Sequence, residues 1–214
     1  MPVKHISSRE NSQFKIWRAL ADSRHSRREL GRTLLDGEHL LAEALQAGVM
    51  PEHLVVDAEA PAMATWQARL PQVPMTSLPS ALFASLSPVA APTGILAVIA
   101  VPATSVAAGD GSAVLLDDVQ DPGNLGALLR TAAAAGIDDA YLSKGCAEVW
   151  SPKALRGGQG GQFHLRIHEA ADLVAVARAR PGACTLPRWA PSATCTPSTW
   201  PGPWPSPSAM KAPG

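Results

Sequence analysis

The 214-residue chain predicts an α/β fold. Short apolar runs of strand length, such as Ala113-Val114-Leu115-Leu116 and Ile95-Leu96-Ala97-Val98-Ile99-Ala100, alternate with segments of helical spacing. Clusters of Gly, Pro, Asn and Asp separate them as turns. The length lies near the boundary between one domain and two, so two small domains fit it.

The first thirty or so residues are the basic part. Lys4, Arg9, Lys15, Arg18, Arg24, Arg27, Arg28 and Arg32 stand against Glu10, Asp22 and Glu29. Such a cluster is either a solvated helix face or a surface that contacts phosphate, whose binding would depend steeply on salt. Leu34-Leu35 then leads through Asp36-Gly37-Glu38 into a segment where Leu40, Leu41, Ala44 and Leu45 recur at helical spacing and Gly48 stops it: strand, turn and amphipathic helix. Leu54-Val55-Val56 reads as a strand, Val73-Pro74-Met75 as another, and Ser80 to Leu86 as a short helix. Pro92-Thr93-Gly94 turns the chain into the buried strand that ends at Ala100. Pro102 to Ser112 is small and polar enough to be a linker.

Ala113 to Leu116 opens the second half as a strand. In Asp121-Pro122-Gly123-Asn124, Pro122 suits the second position of a turn and Gly123 the third, where φ is positive. Asn124 is the expected N-cap of a helix that runs to Gly136, its C′ residue. Arg130 is the one charged side chain between Asn124 and Gly136. A lone guanidinium on a helix of Leu and Ala must reach water, a carboxylate or a phosphate. Tyr141 to Cys146 reads as a strand and turn. Trp150 to Leu165 reads as a small-residue helix leading to a further strand.

Lys and Arg balance Asp and Glu at 18 each, so nucleic-acid contact must come from local patches. No apolar run is long enough to span a membrane, and the first residues lack the apolar core of a secretory signal. Cys146, Cys184 and Cys195 are odd in number and form no Cys-x-x-Cys pair, which points away from a metal site or disulfide framework and toward a reduced, cytoplasmic setting. No Gly-Lys-Ser or Gly-Lys-Thr follows the glycines at Gly157 and Gly158, so a P-loop reading is incomplete.

Leu116-Asp117-Asp118-Val119-Gln120-Asp121-Pro122-Gly123-Asn124-Leu125-Gly126, through Arg130-Thr131-Ala132, resembles the first signature motif of the SpoU (TrmH) family. These are RNA ribose 2′-O-methyltransferases of the knotted SPOUT class. Ser151-Pro152-Lys153-Ala154-Leu155-Arg156 is similar to a second family stretch at the same distance. There the chain departs, with Gly157 and Gly158 where the family usually carries Ala and Ser; each Gly costs up to about 1 kcal/mol of helix stability. Ser8-Arg9-Glu10-Asn11 with Lys15, and Arg27-Arg28 before Gly31, resemble the opening of SpoU proteins with an added RNA-binding domain. Asp36-Gly37-Glu38 stands where that domain has a Glu-Gly-x-x-Leu stretch. The resemblance covers Ile6 to Ile167.

The resemblance implies a small α/β RNA substrate-binding domain at 1–101, a linker at 102–112, and the first part of an α/β-knot (SPOUT) methyltransferase domain at 113–180. It implies S-adenosyl-L-methionine as cofactor, ribosomal or transfer RNA as partner, and, for a complete chain, a homodimer formed through the knot domains. Arg130 and Asn124 are the expected catalytic pair. Arg130 matches the motif Arg, and because a guanidinium is a poor base that keeps its proton its role is positioning and electrostatic stabilisation. Arg9, Lys15, Arg27, Arg28, Arg32, Lys153 and Arg156 are the expected RNA contacts. No residue of this chain is assignable to the cofactor.

From Pro181 to Gly214 the composition changes. Nine prolines, Trp189, Trp200 and Trp204, and no Asp or Glu make regular structure unfavourable. The family has a Gly-Asn-Glu-Gly turn and a Ser-Leu-Asn segment here. Read from the third base of each codon, Thr199 to Gly214 can spell Asp-Leu-Ala-Gly-Pro-Val-Ala-Leu-Ala-Ile-Gly-Asn-Glu-Gly-Ala-Gly, with the Ala residues opposite Trp-Pro and the Glu opposite Met-Lys forced. The expectation is therefore a frameshift near Ala179 to Cys184, an out-of-frame tail at 181–214, and an incomplete knot domain that neither binds cofactor nor methylates RNA. The alternative is a non-catalytic RNA-binding protein derived from the same family.

Overall fold

The computed structural model describes residues 3–87, 92–103 and 111–179. Within the first hundred residues, five strands form one sheet: β1 (Lys4–His5), β2 (Arg32–Asp36), β3 (Pro51–Asp57), β4 (Met75–Leu78) and β5 (Ile95–Ala100). Their spatial order is β1-β4-β3-β5-β2. β1 and β3 flank β4 in parallel, whereas β5 runs antiparallel to β2 and β3. Successive side chains of a strand face opposite sides, and here both sides are covered. Leu34, Val55, Leu96 and Val98 meet Phe14, Trp17 and Leu20 of helix α1 (Ser12–Asp22) and Leu82, Phe83 and Leu86 of the chain's fifth helix. Leu35, Leu54, Val56, Ile95, Ala97 and Ile99 turn the other way.

On α1 follows α2 (Arg24–Leu30), with Ser23 as its cap: its Oγ accepts the Ser26 amide at 3.2 Å. α3 (Glu38–Gln46) contributes Leu40, Leu41 and Ala44, and α4 (Ala62–Arg69) contributes Ala62 and Trp66, to the second face. α5 (Ser80–Leu86) completes the first. The result is a helix–sheet–helix sandwich.

The second sheet is β6 (Ala113–Leu116), β7 (Asp139–Leu142) and β8 (Arg166–His168), parallel and in chain order. Parallel neighbours need crossovers. These are α6 (Pro122–Ala134), then α7 (Pro152–Gly158) with the 3-10 turn Gly161–His164. The core beneath α3 and α4 continues without a break into Leu116, Leu125, Leu129, Leu142, Val149, Trp150 and Leu155. Both sheets thus lie in one compact unit, Met1–Ala171. A second unit begins at Asp172, of which α8 (Leu173–Ala179) is described. Asp172 Oδ1 caps that helix by accepting the amides of Val174 and Ala175. Among the described residues, no helix is long and apolar enough to cross a membrane.

Three details differ from expectation. The fourth strand starts at Met75, not Val73: Pro74 has no N–H for the ladder, and only its carbonyl pairs, accepting the Leu54 amide at 2.9 Å. α6 is capped by Asp121, not Asn124, and begins three residues early with Pro122 at its first position. Gly123 is therefore helical, without positive φ, while Gly136 does take φ +71° after the helix. α2 and α4 form although their sequences carry no clear apolar periodicity. The tail read as out of frame, 181–214, lies outside the described residues, as does most of the expected linker.

Candidate functional site

The two motif segments meet at the starts of α6 and α7. Asp121 Oδ1 accepts the Asn124 amide at 2.8 Å, and its Oδ2 accepts from Lys153 Nζ at 3.1 Å. The Asn124 amide first, and Lys153 second, hold the Asp121 carboxyl below the usual carboxylate range. Ser151 caps α7 in the same manner through the Ala154 amide at 3.3 Å. Lys153 is thus exposed but tied to the α6 cap, and Asn124 is an exposed first-turn residue whose backbone amide receives the cap.

Arg130 lies two turns into α6, with its side chain in solvent and no hydrogen-bond or ion-pair partner among the described residues. Its backbone is held closely. A Cβ on Gly161 would lie 2.8 Å from Arg130 Cα, and one on Gly160 would lie 2.7 Å from Glu43 Cβ. The turn between α7 and β8 is therefore wedged between α3 and α6. His164 Nε2 and Glu43 Oε2 approach to 3.3 Å across the same seam.

Two non-glycine residues in the left-handed region border these segments, Asp118 at φ 53° and Gln159 at φ 49°. Asp is among the few side chains that accept this conformation readily. The Asp118 amide donates to Ser143 Oγ at 3.0 Å, which ties the turn after β6 to the turn after β7. Ligands of open parallel sheets bind beyond such carboxyl ends of strands.

Arg156, exposed at the end of α7, looks onto the first sheet. With Asp36, Gly37, His39 and Thr93 it lines a cleft of about 390 Å³. Burial raises the Asp36 carboxyl above its usual range, against the opposing pull of the Ser87 hydroxyl, 2.6 Å away, and of the Arg156 charge.

The basic N-terminal cluster divides into paired and unpaired cations. Lys15 pairs with Glu10 at 2.6 Å, Arg18 with Asp22 at 2.7 Å, and Arg32 with Glu52. Arg27 departs most from the expected surface role. It is 5% exposed, and its guanidinium grips Glu148 with two bonds of 2.9 and 2.6 Å while donating to the carbonyls of Leu20 and Ala21. That commits it to packing and leaves nothing for phosphate. Arg9, Arg24 and Arg28 are exposed and make no ion-pair contact among the described residues, although the charges of Arg28 and Arg24 reach the Glu169 carboxyl. Sequence reading passes over Lys144, which stands after β7 on the same cleft as Arg24 and Arg28. The i, i+4 spacing of the two arginines is the available signal; the approach of Lys144 arises only on folding.

Residues 111–196 match the SpoU rRNA Methylase family, and residues 11–97 match the MRM3-like substrate binding domain. Over 171 residues the chain is 34% identical to the 23S rRNA (guanosine(2553)-2′-O)-methyltransferase RlmP of Bacillus subtilis, a match covering 77% of this chain and 64% of that protein. Over 156 residues it is 31% identical to the human mitochondrial rRNA methyltransferase 3, covering 69% of this chain and 37% of the relative. The chain therefore spans less than two thirds of either relative. Among solved structures it resembles the SpoU methyltransferase AviRb of Streptomyces viridochromogenes in complex with AdoMet, with TM-score 0.70 and 26% identity over 79% of this chain and 68% of that one. A second likeness is to an RNA 2′-O ribose methyltransferase, with TM-score 0.68 and 27% identity over 80% of this chain and 67% of that one. With both motif segments meeting at the starts of α6 and α7, and both halves of the chain matched, the chain belongs to the SpoU (TrmH) family.

Proposed function

We propose that this chain derives from a methyltransferase that modifies a ribose 2′-hydroxyl of ribosomal RNA with S-adenosylmethionine. The observation that carries the reading is Arg130: a lone guanidinium, free among the described residues, on a helix whose backbone is packed closely against α7 and the turn at Gly161. A 2′-hydroxyl is a poor acid and a weak nucleophile, so alignment supplies much of the catalytic advantage. Arg130 would hold a backbone phosphate beside the attacking oxygen and stabilise the charge that develops there. Asn124 and the Asp121–Lys153 contact order the turn that presents it. S-Adenosylmethionine, when bound, supplies an electrophilic methyl on a sulfonium and departs as a neutral thioether.

The described residues do not fit that cofactor at the cleft that Lys144 lines beyond β7. Arg24, Arg28 and Lys144 face a single carboxylate there, Glu169, and an excess of positive charge repels a sulfonium. No cofactor contact is therefore assigned to this chain. Residues 1–101 serve in this reading as the RNA-binding part, and the assembly is a homodimer in a reducing, cytoplasmic setting. The proline-rich tail, read as out of frame, leaves this chain without methyl transfer. The relatives named above act on ribosomal RNA, which favours it over transfer RNA.

The test is transfer of labelled methyl from S-adenosylmethionine to ribosomal RNA by three proteins: the chain as given, a frame-restored version, and Arg130→Ala in the restored version. Activity is expected only in the restored protein, and Arg130→Ala should lower it about 100-fold or more while leaving cofactor affinity intact. Full activity of Arg130→Ala would remove the role given to it, and activity of the chain as given would remove the out-of-frame reading.

A further inference from the structure

We propose that Arg24, Arg28 and Lys144 form a phosphate subsite that takes a backbone phosphodiester of bound RNA. The proposal rests on the RNA-binding reading above and adds where on this chain the strand is gripped. Half of the basic N-terminal cluster is already neutralised: Lys15, Arg18, Arg27 and Arg32 each have a carboxylate partner. Arg24, Arg28 and Lys144 form no ion-pair contact among the described residues, and the one carboxylate that lines the cleft with them is Glu169. These three converge on one cleft of about 430 Å³, although Lys144 is more than a hundred residues away in sequence.

The placement is built by the fold. Arg24 and Arg28 stand one turn apart on the same face of α2. α2 cannot drift, because Arg27, between them, is locked to Glu148. Lys144 comes from the turn that follows β7, and Leu142, Cys146 and Ala147 form an apolar floor. Two guanidinium forks and an ammonium above such a floor suit a phosphodiester, which offers oxygens in bidentate geometry to arginine. Glu169 lies on the same wall. Burial raises its carboxyl above the usual range, while Arg28 and Arg24 pull the other way. Its charge opposes an incoming phosphate, so Glu169 serves as an internal control for the sign of the ligand.

The experiment measures binding of a fluorescein-labelled single-stranded RNA oligonucleotide of mixed sequence to the full 214-residue chain by anisotropy, across a sodium chloride series. Arg24→Ala with Lys144→Ala should weaken binding about tenfold and reduce the slope of log affinity against log salt by roughly 0.7 for each phosphate no longer neutralised. Glu169→Gln should tighten it. All three side chains to be changed lie at the surface or half-buried, and thermal melting of each variant reports whether the fold is kept. If the double variant fails to fold, Glu169→Gln decides, and unchanged or weaker binding there overturns the subsite. Wild-type affinity and salt slope in a folded double variant overturn the subsite alone. No RNA binding by the wild-type chain overturns both this proposal and the RNA-binding reading.

Discussion

Arg27 and Glu148 are separated by 121 residues and meet as a bidentate ion pair, with side chains 6% and 9% exposed. The pair joins the helical start of the chain to the loop before α7, and Thr33 Oγ1, donating to the Trp150 carbonyl at 2.6 Å, repeats the connection one strand away. Desolvating two charges is costly, so such a pair contributes little compared with apolar packing; removing one partner is what hurts, because the other is left buried and unpaired. Arg27→Ala is therefore expected to lower the unfolding free energy by about 3–5 kcal/mol. Arg27→Met combined with Glu148→Leu should recover most of that. Urea denaturation of the three proteins checks both expectations; an Arg27→Ala midpoint equal to wild type would mean that the pair is solvated in solution. In the sequence Arg27 is one arginine of a basic run, and nothing local marks it as different from Arg28. Its burial is set by the approach of Glu148, a long-range pairing that local patterning does not contain.

At the scale of elements, the closest packing is between α6 and α7, and glycine makes it possible. A Cβ on Gly126 would lie 2.5 Å from the Gly158 amide nitrogen and 2.8 Å from the Gly157 carbonyl carbon, and closer still to the Ala154 oxygen. One on Gly157 would lie 2.7 Å from the Gly123 oxygen. These obstacles are backbone atoms, which cannot rotate aside. Propensity alone counts Gly157 as a weakness of α7; the helix crossing shows what that cost supports. Gly126→Ala is expected to destabilise the protein by about 1–3 kcal/mol through overpacking, despite alanine's better helix propensity. A drop in melting temperature is the readout, and a rise would show that the helices have room. The elements themselves are largely legible in the sequence. Ser80–Leu86 has the bounds its sequence suggests, and the strands at Leu34, Leu54, Ile95 and Ala113 stand where aliphatic runs place them. The start of α6 is ambiguous in sequence because Asp-Pro-Gly-Asn satisfies both a turn and a helix start. Pro at the first helical position after a capping Asp is the arrangement that the tertiary contact with Lys153 favours.

For the whole molecule, the balance of covered and uncovered apolar surface bears on assembly. One core runs from Leu41 and Trp66 under the first sheet to Leu129 and Leu155 under the second. α6 turns Leu125, Leu129 and Ala132 into it, but Leu128 remains 44% exposed, with Thr131, Ala134 and Ala135 beside it on the outer face. A helix with apolar residues on more than one side calls for cover on more than one side. Arg130, two residues on from Leu128, projects from a different side of α6, so this outer face is separate from the proposed catalytic guanidinium. A two-fold arrangement would cover the same face on both copies. The expected result is a dimer of the frame-restored chain in sedimentation velocity, shifting toward monomer on dilution, whereas the 214-residue chain, with its knot domain incomplete, self-associates beyond a dimer. Leu128→Lys in the restored chain should give a folded monomer, because the change adds a charge to an interface without touching the core. A wild-type chain that stays monomeric at high concentration, with a cooperative melt, would show that α6 needs no second copy to cover it.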